Sequence, residues 1–390
     1  MKLSPELKLF VEKHEGEDVH SLALQARKFP GIDMNLAIRQ IVGRKIAKEK
    51  IPTWYANADI VYPAHLSLEQ SSSEATALYK TKLSAGEVMV DLTGGMGVDI
   101  SFLAQRFKQA TYVEQQTELS EIARHNFRAL GLENIEVVNA DGVEYLTGMQ
   151  PVDLIYIDPA RRDNVGKKTV GIEDCTPNVG AKNISPLLVE KAKTVIIKLS
   201  PMLDISLALK SLKNVAEVHI VAVNNEVKEL LFIQHASTTF SDRVNYHCVN
   251  IQKNNIETFT FNREDESNIS VHYTSELQKY LYEPNAAIMK GGAYKSIARA
   301  YNLKKLHPSS HLYTSGEFYP DFPGRKFMIK NVTRFGNVLR LDKANITVRN
   351  FPLSVAGIRK KTGLKEGGDT YIFATTLADE RKVLIIAEKN

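Results

Sequence analysis

The sequence predicts an α/β protein in which a mostly parallel, seven-stranded sheet carries helices on both faces. Three observations predict this fold class. Short apolar segments alternate with helical segments between residues 67 and 236, residues 1–66 show helical spacing alone, and a basic segment of mixed strands and helices follows residue 276. Since alternating strands and helices are typical of doubly wound sheets, we expect one large α/β domain between a helical region and an α+β domain.

The composition is that of an ordinary globular protein. The 390 residues are 43% hydrophobic and 24% charged, which excludes disorder as the main state. No apolar stretch approaches the roughly 20 residues that cross a bilayer, and the N-terminus has Glu and Lys where a signal peptide needs an apolar run. The only cysteines, Cys175 and Cys248, are too few for a disulfide framework or a cysteine metal site. We therefore expect a cytoplasmic protein with no membrane association and no metal.

Residues 1–66 are predicted to form an N-terminal helical region. Ser4 precedes Pro5, and apolar residues then recur at helical spacing, which indicates a capped helix. Asp33 opens a second helical stretch in which basic residues surround one apolar face. These basic residues could line a substrate entrance, but a solvated helix face is the simpler interpretation.

The large domain is predicted to contain seven strands. The candidate segments are residues 88–92, 110–114, 135–140, 152–158, 194–199, 218–223 and 229–233. The last two are joined only by residues 224–228, whose Asn-Asn pair suits a tight turn. We therefore expect an antiparallel hairpin at the edge of an otherwise parallel sheet.

The pattern of strands and helices, together with the distribution of charged residues, predicts how the remainder of the chain is divided into domains. We predict that the large domain spans residues 67–275, with an edge β excursion over 237–275 that contains a solvated loop, NREDESN. A small connecting α/β module should span 276–320 and a basic α+β domain 321–390. Residues 285–390 hold 19 Lys and Arg against 8 Asp and Glu, a net charge of +11. Such an excess is typical of surfaces that meet phosphates or anionic lipid, with a solvated basic domain as the alternative.

A glycine-rich turn follows the first strand. It begins at Asp91, reads D-L-T-G-G-M-G and runs directly into a helical segment. Glycines let the backbone approach a ligand, although a tight turn without a ligand is an equal alternative. Glu114 and Asp141 end the next two strands, where they could accept from ribose hydroxyls and from an adenine amine. Because the carboxyl ends of parallel strands meet at one crevice, we expect the three acids to converge there. A helix cap or a solvated loop residue is the alternative for each acid taken alone.

The glycine spacing differs from the G-x-G-x-x-G of dinucleotide sites. It resembles the first motif of the class I S-adenosylmethionine-dependent methyltransferases, an acid followed by G-x-G-x-G, with Thr93 in place of the first glycine. The resemblance implies a Rossmann-like sheet with an edge hairpin and S-adenosyl-L-methionine as the cofactor. Upstream, Gln70 and Ser72 are candidate contacts, with helix capping as the alternative. The predicted cofactor-binding residues are Asp91, Thr93, Gly95, Gly97, Glu114, Asp141 and Gln70.

The fourth strand ends in the sequence IDPARR, residues 157–162. It resembles the D/N-P-P-aromatic motif of amino-methyltransferases, whose acid and following carbonyl accept hydrogen bonds from the amine that is methylated. Two acceptors can hold a base nitrogen pyramidal and in line with the methyl group. The resemblance implies Asp158 and Pro159 as this pair, and the predicted catalytic residues are Asp158, Pro159 and Arg161. Arg161, at the aromatic position, could stack on a base or bind a phosphate, with a salt bridge as the alternative.

Three other residues lie close to these motifs in the predicted fold. Cys175, in the loop after the fourth strand, matches no carbon-5 nucleophile motif and is interpreted as a bystander. Lys198 and Ser200, at the end of the fifth strand, face the same crevice and are candidates for substrate contact.

The chain is also similar to a bacterial group of class I methyltransferases that carry D-P-A-R-R and end in a THUMP-like domain. THUMP domains bind structured RNA, so the resemblance implies RNA as a partner. We hypothesise a methyltransferase that N-methylates a base in tRNA or rRNA. The alternatives are a non-catalytic RNA-binding scaffold and a methyltransferase of protein or a small molecule. The predicted RNA-binding residues are Arg325, Lys326, Arg359, Lys360, Lys361 and Lys365.

Overall fold

The computed structural model describes residues 3–63, 68, 70–161, 171–236, 243–335 and 341–389. The chain divides into two compact units. The first consists of Met1–Glu217 and Glu229–Ser241, and the second of Val218–Lys228 and Asp242–Asn390. The four predicted domains form a finer division than these two units, and their boundaries stay predictions.

The first unit begins with helices. They are α1 (Pro5–His14), α2 (Val19–Leu24), α3 (Met34–Lys50), α4 (Pro52–Tyr55) and α5 (Glu74–Lys80). The predicted cap at Ser4 is confirmed, since Ser4 Oγ accepts from the Leu7 amide at 3.2 Å. Asp33, where the second helical stretch was predicted to open, caps α3, because its Oδ1 accepts from the Leu36 amide at 3.0 Å. Trp54 is fully buried in an apolar cluster that also contains Met96 of the glycine-rich turn. The helical region therefore packs directly on that turn.

The remaining elements of the first unit build a sheet. The strands of this region are β1 (Gly86–Asp91), β2 (Phe107–Glu114), β3 (Ile135–Asn139), β4 (Val152–Ile157), β5 (Ala160–Arg161), β6 (Cys175–Thr176), β7 (Ala192–Leu199), β8 (Val215–Val223) and β9 (Glu226–His235). β5 and β6 pair only with each other, outside the large sheet, and β8 begins in the first unit and continues in the second. The helices between them are α6 (Val98–Leu103), α7 (Thr117–Ala129), α8 (Gly142–Gly148), α9 (Ser185–Lys191) and α10 (Ile205–Ser211). The strand order is β9-β7-β4-β1-β2-β3, and all of these except β9 run parallel.

The parallel register aligns the strand ends. Asp91, the last residue of β1, lies beside Tyr112 in β2 and Tyr156 in β4. Glu114 ends β2, and Asp158 directly follows β4. The acids singled out from the sequence therefore lie along one edge of the sheet, where open α/β sheets bind their ligands.

The predicted hairpin of β8 and β9 is present. Asn224 and Asn225 form its turn with φ of 50° and 65°, a conformation that asparagine tolerates and that suits a two-residue hairpin. However, β8 is not an edge strand, because β10 (Asn245–Gln252) and β11 (Asn255–Asn262) follow it in the order β8-β10-β11. The edge position is therefore wrong, and the count of seven strands is exceeded, because the excursion after residue 242 adds strands to the ladder.

The second unit contains a separate sheet. The helices of the second unit are α11 (Arg263–Asn268), α12 (Ala286–Gly291), α13 (Tyr294–Ala300) and α14 (Val355–Thr362). Its strands are β12 (Tyr280–Pro284), β13 (Lys304–Lys305), β14 (Tyr313–Ser315), β15 (Gly324–Arg334), β16 (Asn345–Arg349), β17 (Thr370–Thr376) and β18 (Lys382–Lys389), in the order β13-β14-β12-β15-β18-β17-β16. Buried apolar residues, Phe327 and Phe373 among them, form its core.

The stretch NREDESN is helix α11 and not a solvated loop. Asn262 caps it by accepting from the Glu264 amide at 2.9 Å. Glu266 is buried and accepts from the amides of Lys295 and Ser296 at 2.7 and 2.6 Å. The prediction is wrong because the partners of this carboxylate come from the start of α13, which local charge cannot reveal.

None of the helices in the described ranges has the length and apolar content that crossing a membrane requires.

Candidate active site

The glycine-rich turn adopts backbone conformations that need glycine. Gly95 has φ of 53°, and Gly97, the residue before α6, has φ of 85°. A Cβ on Gly97 would also lie 2.8 Å from the Phe127 ring. The Gly95 amide donates to Glu114 Oε2 at 2.9 Å, and the Gln116 amide donates to Oε1 at 2.8 Å. The acid at the end of β2 therefore holds the turn.

Asp91 is buried at the start of this turn. Its Oδ1 accepts from the Thr93 amide at 3.0 Å. Burial raises the pKa of the Asp91 carboxyl, and the negative charges of Asp99, Asp158 and Glu114 raise it further, although the Thr93 amide opposes the shift. Several acids therefore share one confined region.

Thr93 explains the departure from the glycine pattern. Its Oγ1 accepts a hydrogen bond of 2.6 Å from the Asp158 amide. A glycine at this position has no side chain to accept that bond. Thr93 thus connects the turn after β1 to the segment after β4.

Asp141 caps α8. It is exposed, and its Oδ1 accepts from the amides of Val143 and Glu144 at 2.8 and 3.0 Å. A Cβ on Gly142 would lie 2.1 Å from the Leu92 carbonyl oxygen, so the start of α8 approaches the end of β1 closely. Asp141 therefore lies beside the turn as expected, while it also serves as the helix cap that was the alternative.

Asp158 and Pro159 lie at the end of β4. The Asp158 side chain is 36% exposed, and Pro159 is buried. Ala160 and Arg161 continue as β5, whose backbone pairs with Thr176 and Cys175 of β6. The side chain of Arg161 and all of Arg162 lie outside the described residues. Cys175 is 1% exposed and holds a ladder position.

Asp158 belongs to a mostly buried group of charged and hydroxyl side chains, which we call the lysine–acid cluster. Lys198 Nζ bonds to Asp158 Oδ2 and to Ser72 Oγ, the latter at 3.2 Å, and lies 3.7 Å from Asp99 Oδ2. Lys80 is fully buried. The lysine–acid cluster consists of Lys80, Lys198, Asp99, Asp158, Glu229, Ser72 and Tyr156.

The inner part of the lysine–acid cluster is paired closely. Lys80 Nζ lies 2.7 Å from both Glu229 carboxylate oxygens and 3.0 Å from Asp99 Oδ1. Asp99 Oδ2 accepts from Ser72 Oγ and from the Tyr156 hydroxyl, each at 2.7 Å. Burial opposes the ionisation of Asp99, but the charges of Lys80 and Lys198 outweigh it and lower its pKa. Burial raises the pKa of Glu229, against the effect of Lys80.

Sequence reasoning missed Asp99, Lys80 and Glu229. Asp99 stands in the otherwise uncharged helix VDISFL, and Glu229 opens the apolar run ELLFI. A charged residue inside a segment predicted to be buried is the signal that could have found them, because such charges need partners. Ser72 belongs to this cluster and does not cap a helix, since Ser73 caps α5. Gln70 is exposed and stays a prediction.

The predicted RNA-binding residues divide into two sets. Arg325 Nε donates to buried Glu283 at 2.6 Å, Lys326 donates to the Phe322 carbonyl at 3.1 Å, and Arg359 donates to the carbonyls of Leu364 and Ala344 at 3.2 and 3.3 Å. These three side chains thus have partners inside the second unit. The remaining three, Lys360, Lys361 and Lys365, are exposed.

The site fits an adenosyl cofactor without a pyrophosphate. A Cβ on Gly95 would meet only the Thr93 carbonyl oxygen, 3.6 Å away, besides its chain neighbours, so a ligand can approach the backbone there. Each oxygen of Glu114 accepts one backbone bond and keeps a second lone pair for a ribose hydroxyl. Asp91, Thr93, Gly95, Gly97, Glu114 and Asp141 are the residues that would hold it.

Family models match three segments of the chain. A protein-L-isoaspartate(D-aspartate) O-methyltransferase model matches residues 38–169, a ferredoxin-like domain model matches residues 280–323, and a THUMP domain-like model matches residues 324–389.

Among curated proteins, the chain is similar to an uncharacterised S-adenosylmethionine-dependent methyltransferase of Mycobacterium tuberculosis. The two are 23% identical over 255 residues, which is 65% of either chain. A protein-L-isoaspartate O-methyltransferase of Koribacter versatilis is 27% identical over 112 residues, 29% of this chain and 50% of that protein. The chain thus spans less than two thirds of these relatives.

A solved structure matches the whole chain. The crystal structure of a candidate methyltransferase from Porphyromonas gingivalis W83 is 34% identical, with a TM-score of 0.89, and the match covers 100% of both chains. Together with the methyltransferase and THUMP-like matches, this likeness extends over every element described above. The chain therefore belongs to the S-adenosylmethionine-dependent methyltransferases and carries a THUMP-like domain at its C-terminal end.

Proposed function

We propose that the protein transfers a methyl group from S-adenosylmethionine to a nitrogen of an RNA base, in tRNA or rRNA. The observation that carries this proposal is the position of Asp158. Its amide is bonded to Thr93 of the cofactor-binding turn, and its carboxylate is one-third exposed at the edge of the sheet. A hydrogen-bond acceptor for the substrate is thus attached to the segment that would hold the methyl donor.

Asp158 and the Pro159 carbonyl accept hydrogen bonds from the two N–H bonds of the target amine. This draws the amine out of conjugation with the ring and aims its lone pair at the methyl group. When bound, S-adenosylmethionine supplies a methyl group on a positively charged sulfur, which keeps the electrons of the broken C–S bond. The nitrogen forms the new N–C bond with its lone pair and releases one proton to water.

The exposed lysines support RNA as the acceptor. Lys360 and Lys361 lie in the last turn of α14, and Lys365 follows shortly after it. Three exposed cations within six residues, in a region with a net charge of +11, suit a phosphate backbone. The THUMP domain-like match to residues 324–389 covers the same segment. Membership of the bacterial D-P-A-R-R group rests on residues 158–162 and forms part of this proposal.

The test combines Asp158→Ala with nucleoside mass spectrometry. Total RNA from cells with and without the gene identifies the modified nucleoside, and purified protein is then assayed on RNA that lacks it. We expect Asp158→Ala to lose at least ~10²-fold in methylation rate, because the amine is no longer oriented. Calorimetry should show unchanged binding of S-adenosylmethionine and of RNA.

Asp153→Asn is the matched control, since Asp153 lies in the same strand at the opposite end. It should methylate RNA at the wild-type rate. Unchanged methylation in Asp158→Ala would refute the assigned role. Absence of cofactor binding in the wild type would instead favour an RNA-binding scaffold, and methyl label in protein would favour a protein methyltransferase.

A further inference from the structure

Lys198 is the only member of the lysine–acid cluster, among the described residues, whose ammonium bonds directly to Asp158. Ile197 pairs with Ile157 across β7 and β4, so Lys198 and Asp158 follow side by side at the ends of these strands. The Lys198 side chain is 12% exposed. Its ammonium reaches Asp158 Oδ2 from the protein interior, and Ser72 Oγ at 3.2 Å provides a further partner.

The ammonium of Lys198 is held in its charged form. Burial lowers the pKa of Lys198, but the charges of Asp158, Asp99 and Glu229 outweigh burial and raise it above the ordinary value. Asp158 therefore faces a fixed positive charge on its buried side. Lys80 does not compete for this role, since its ammonium is engaged by both oxygens of Glu229 and by Asp99.

This pairing gives the two oxygens of the Asp158 carboxylate different surroundings. Oδ2 accepts from Lys198, whereas Oδ1 receives no hydrogen bond from any described residue. One oxygen thus remains to accept from a substrate N–H. Because the lysine fixes the other oxygen, the direction of the remaining lone pairs is set before the substrate arrives.

We infer that Lys198 is a positioning and specificity-determining residue, which neutralises Asp158 so that the site takes an uncharged, planar amine and rejects a protonated alkyl amine. The inference rests on the proposed function. A carboxylate without a counter-ion attracts an alkylammonium, whose nitrogen has no lone pair to accept a methyl group. A carboxylate already paired with a lysine attracts a second cation much less strongly, while it still accepts from the neutral amine of a base.

The first test replaces the charge. In Lys198→Met we expect kcat to fall about tenfold to a hundredfold, as the amine loses its orientation, with KM for RNA and affinity for S-adenosylmethionine unchanged. Lys198→Arg keeps a cation and should restore most of kcat. The matched control is Lys193→Met, in the same strand but 80% exposed at its opposite end, which should leave both parameters unchanged.

The second test uses butylammonium as the cationic probe. We expect it to bind Lys198→Met, measured by calorimetry or as competition with RNA, at least about tenfold more tightly than it binds the wild type, since Asp158 is then unpaired. Lys198→Arg should exclude it as the wild type does. If Lys198→Met does not fold, exclusion by the arginine variant together with its restored kcat remains a test of the same claim.

Two outcomes would overturn the inference. The first is a Lys198→Met variant that folds and matches the wild type in kcat and in butylammonium affinity. The second is a Lys198→Arg variant as impaired, or as open to butylammonium, as Lys198→Met. The proposed function fails separately, when Asp158→Ala methylates RNA normally, so the two failures are distinguishable.

Discussion

Strands β4 and β7 carry an aspartate–lysine pair at each end, and the two pairs have different environments. At the start of the strands Lys193 Nζ lies 2.7 Å from Asp153 Oδ1, and the lysine side chain is 80% exposed. At the end Lys198 bonds to Asp158, and the lysine side chain is 12% exposed. Residue types and register are the same, so burial and the neighbouring side chains separate a surface ion pair from one that can orient a reacting group.

The buried end has an energetic consequence that the exposed end lacks. A surface pair is screened by water, whereas a buried charge that loses its partner stays desolvated. Lys80 and Asp99 extend the pairing at the end of β7 into the interior, so the effects of mutation should grow with distance from solvent. Substitutions at increasing exposure, from Lys80 through Thr93 to Lys193, test this gradient.

Lys80→Met should have the largest effect on stability. It leaves Glu229 and Asp99 buried without their shared cation, which we expect to lower the free energy of unfolding by about 3–5 kcal/mol. Urea denaturation followed by circular dichroism measures this, with Lys193→Met as the exposed control. A Lys80→Met protein as stable as that control would show that the interior pairs contribute nothing.

Thr93→Val should have an intermediate effect. It keeps the shape of the side chain but removes the oxygen that accepts from the Asp158 amide, at a cost of about 1–3 kcal/mol for the unpaired donor. We also expect slower methylation, since the turn and Asp158 are no longer connected, and Thr93→Ser should retain both properties. Equal losses in the serine and valine variants would contradict a role for the hydroxyl.

Lys193→Met should have the smallest effect, and it depends on pH. The hydrogen bond from Lys193, helped by the Val88 and Glu87 amides, lowers the pKa of Asp153 to about 2. A lowered folded pKa stabilises the protein above the unfolded value of about 4, and this stabilisation is lost as pH falls toward 2. In Lys193→Met the Asp153 pKa should rise, as NMR titration of its carboxyl carbon would show. An unchanged titration would mean that the amides alone set it.

The fold was largely predictable because its signals are local. The caps at Ser4 and Asp33, the alternation of strands with helices and the Asn224-Asn225 turn each depend on neighbouring residues, and the structure contains all of them. The prediction was wrong at α11, where buried Glu266 finds its partners at α13, about 30 residues along the chain. Contacts at that separation leave no periodicity in the sequence.

The candidate site was predictable to a similar extent as the fold. Asp91, Glu114 and Asp158 were predicted to lie at neighbouring strand ends, and they do so, because parallel strands must end at one edge of the sheet. Thr93 was noted only as a departure from a pattern. Its bond to the Asp158 amide spans 65 residues, and no spacing rule could foresee it.

The sequence by itself determined the alternation of strands with helices, the glycine-rich turn and the acids that end the strands. Each of these follows from backbone preference and side-chain alternation along the chain. Only the tertiary structure decided that Lys198, and not Lys193, is buried beside an aspartate, and that Lys80, Asp99 and Glu229 complete its surroundings. The physical reason is that the strength of a charge interaction depends on how much water surrounds it, which packing of distant segments determines.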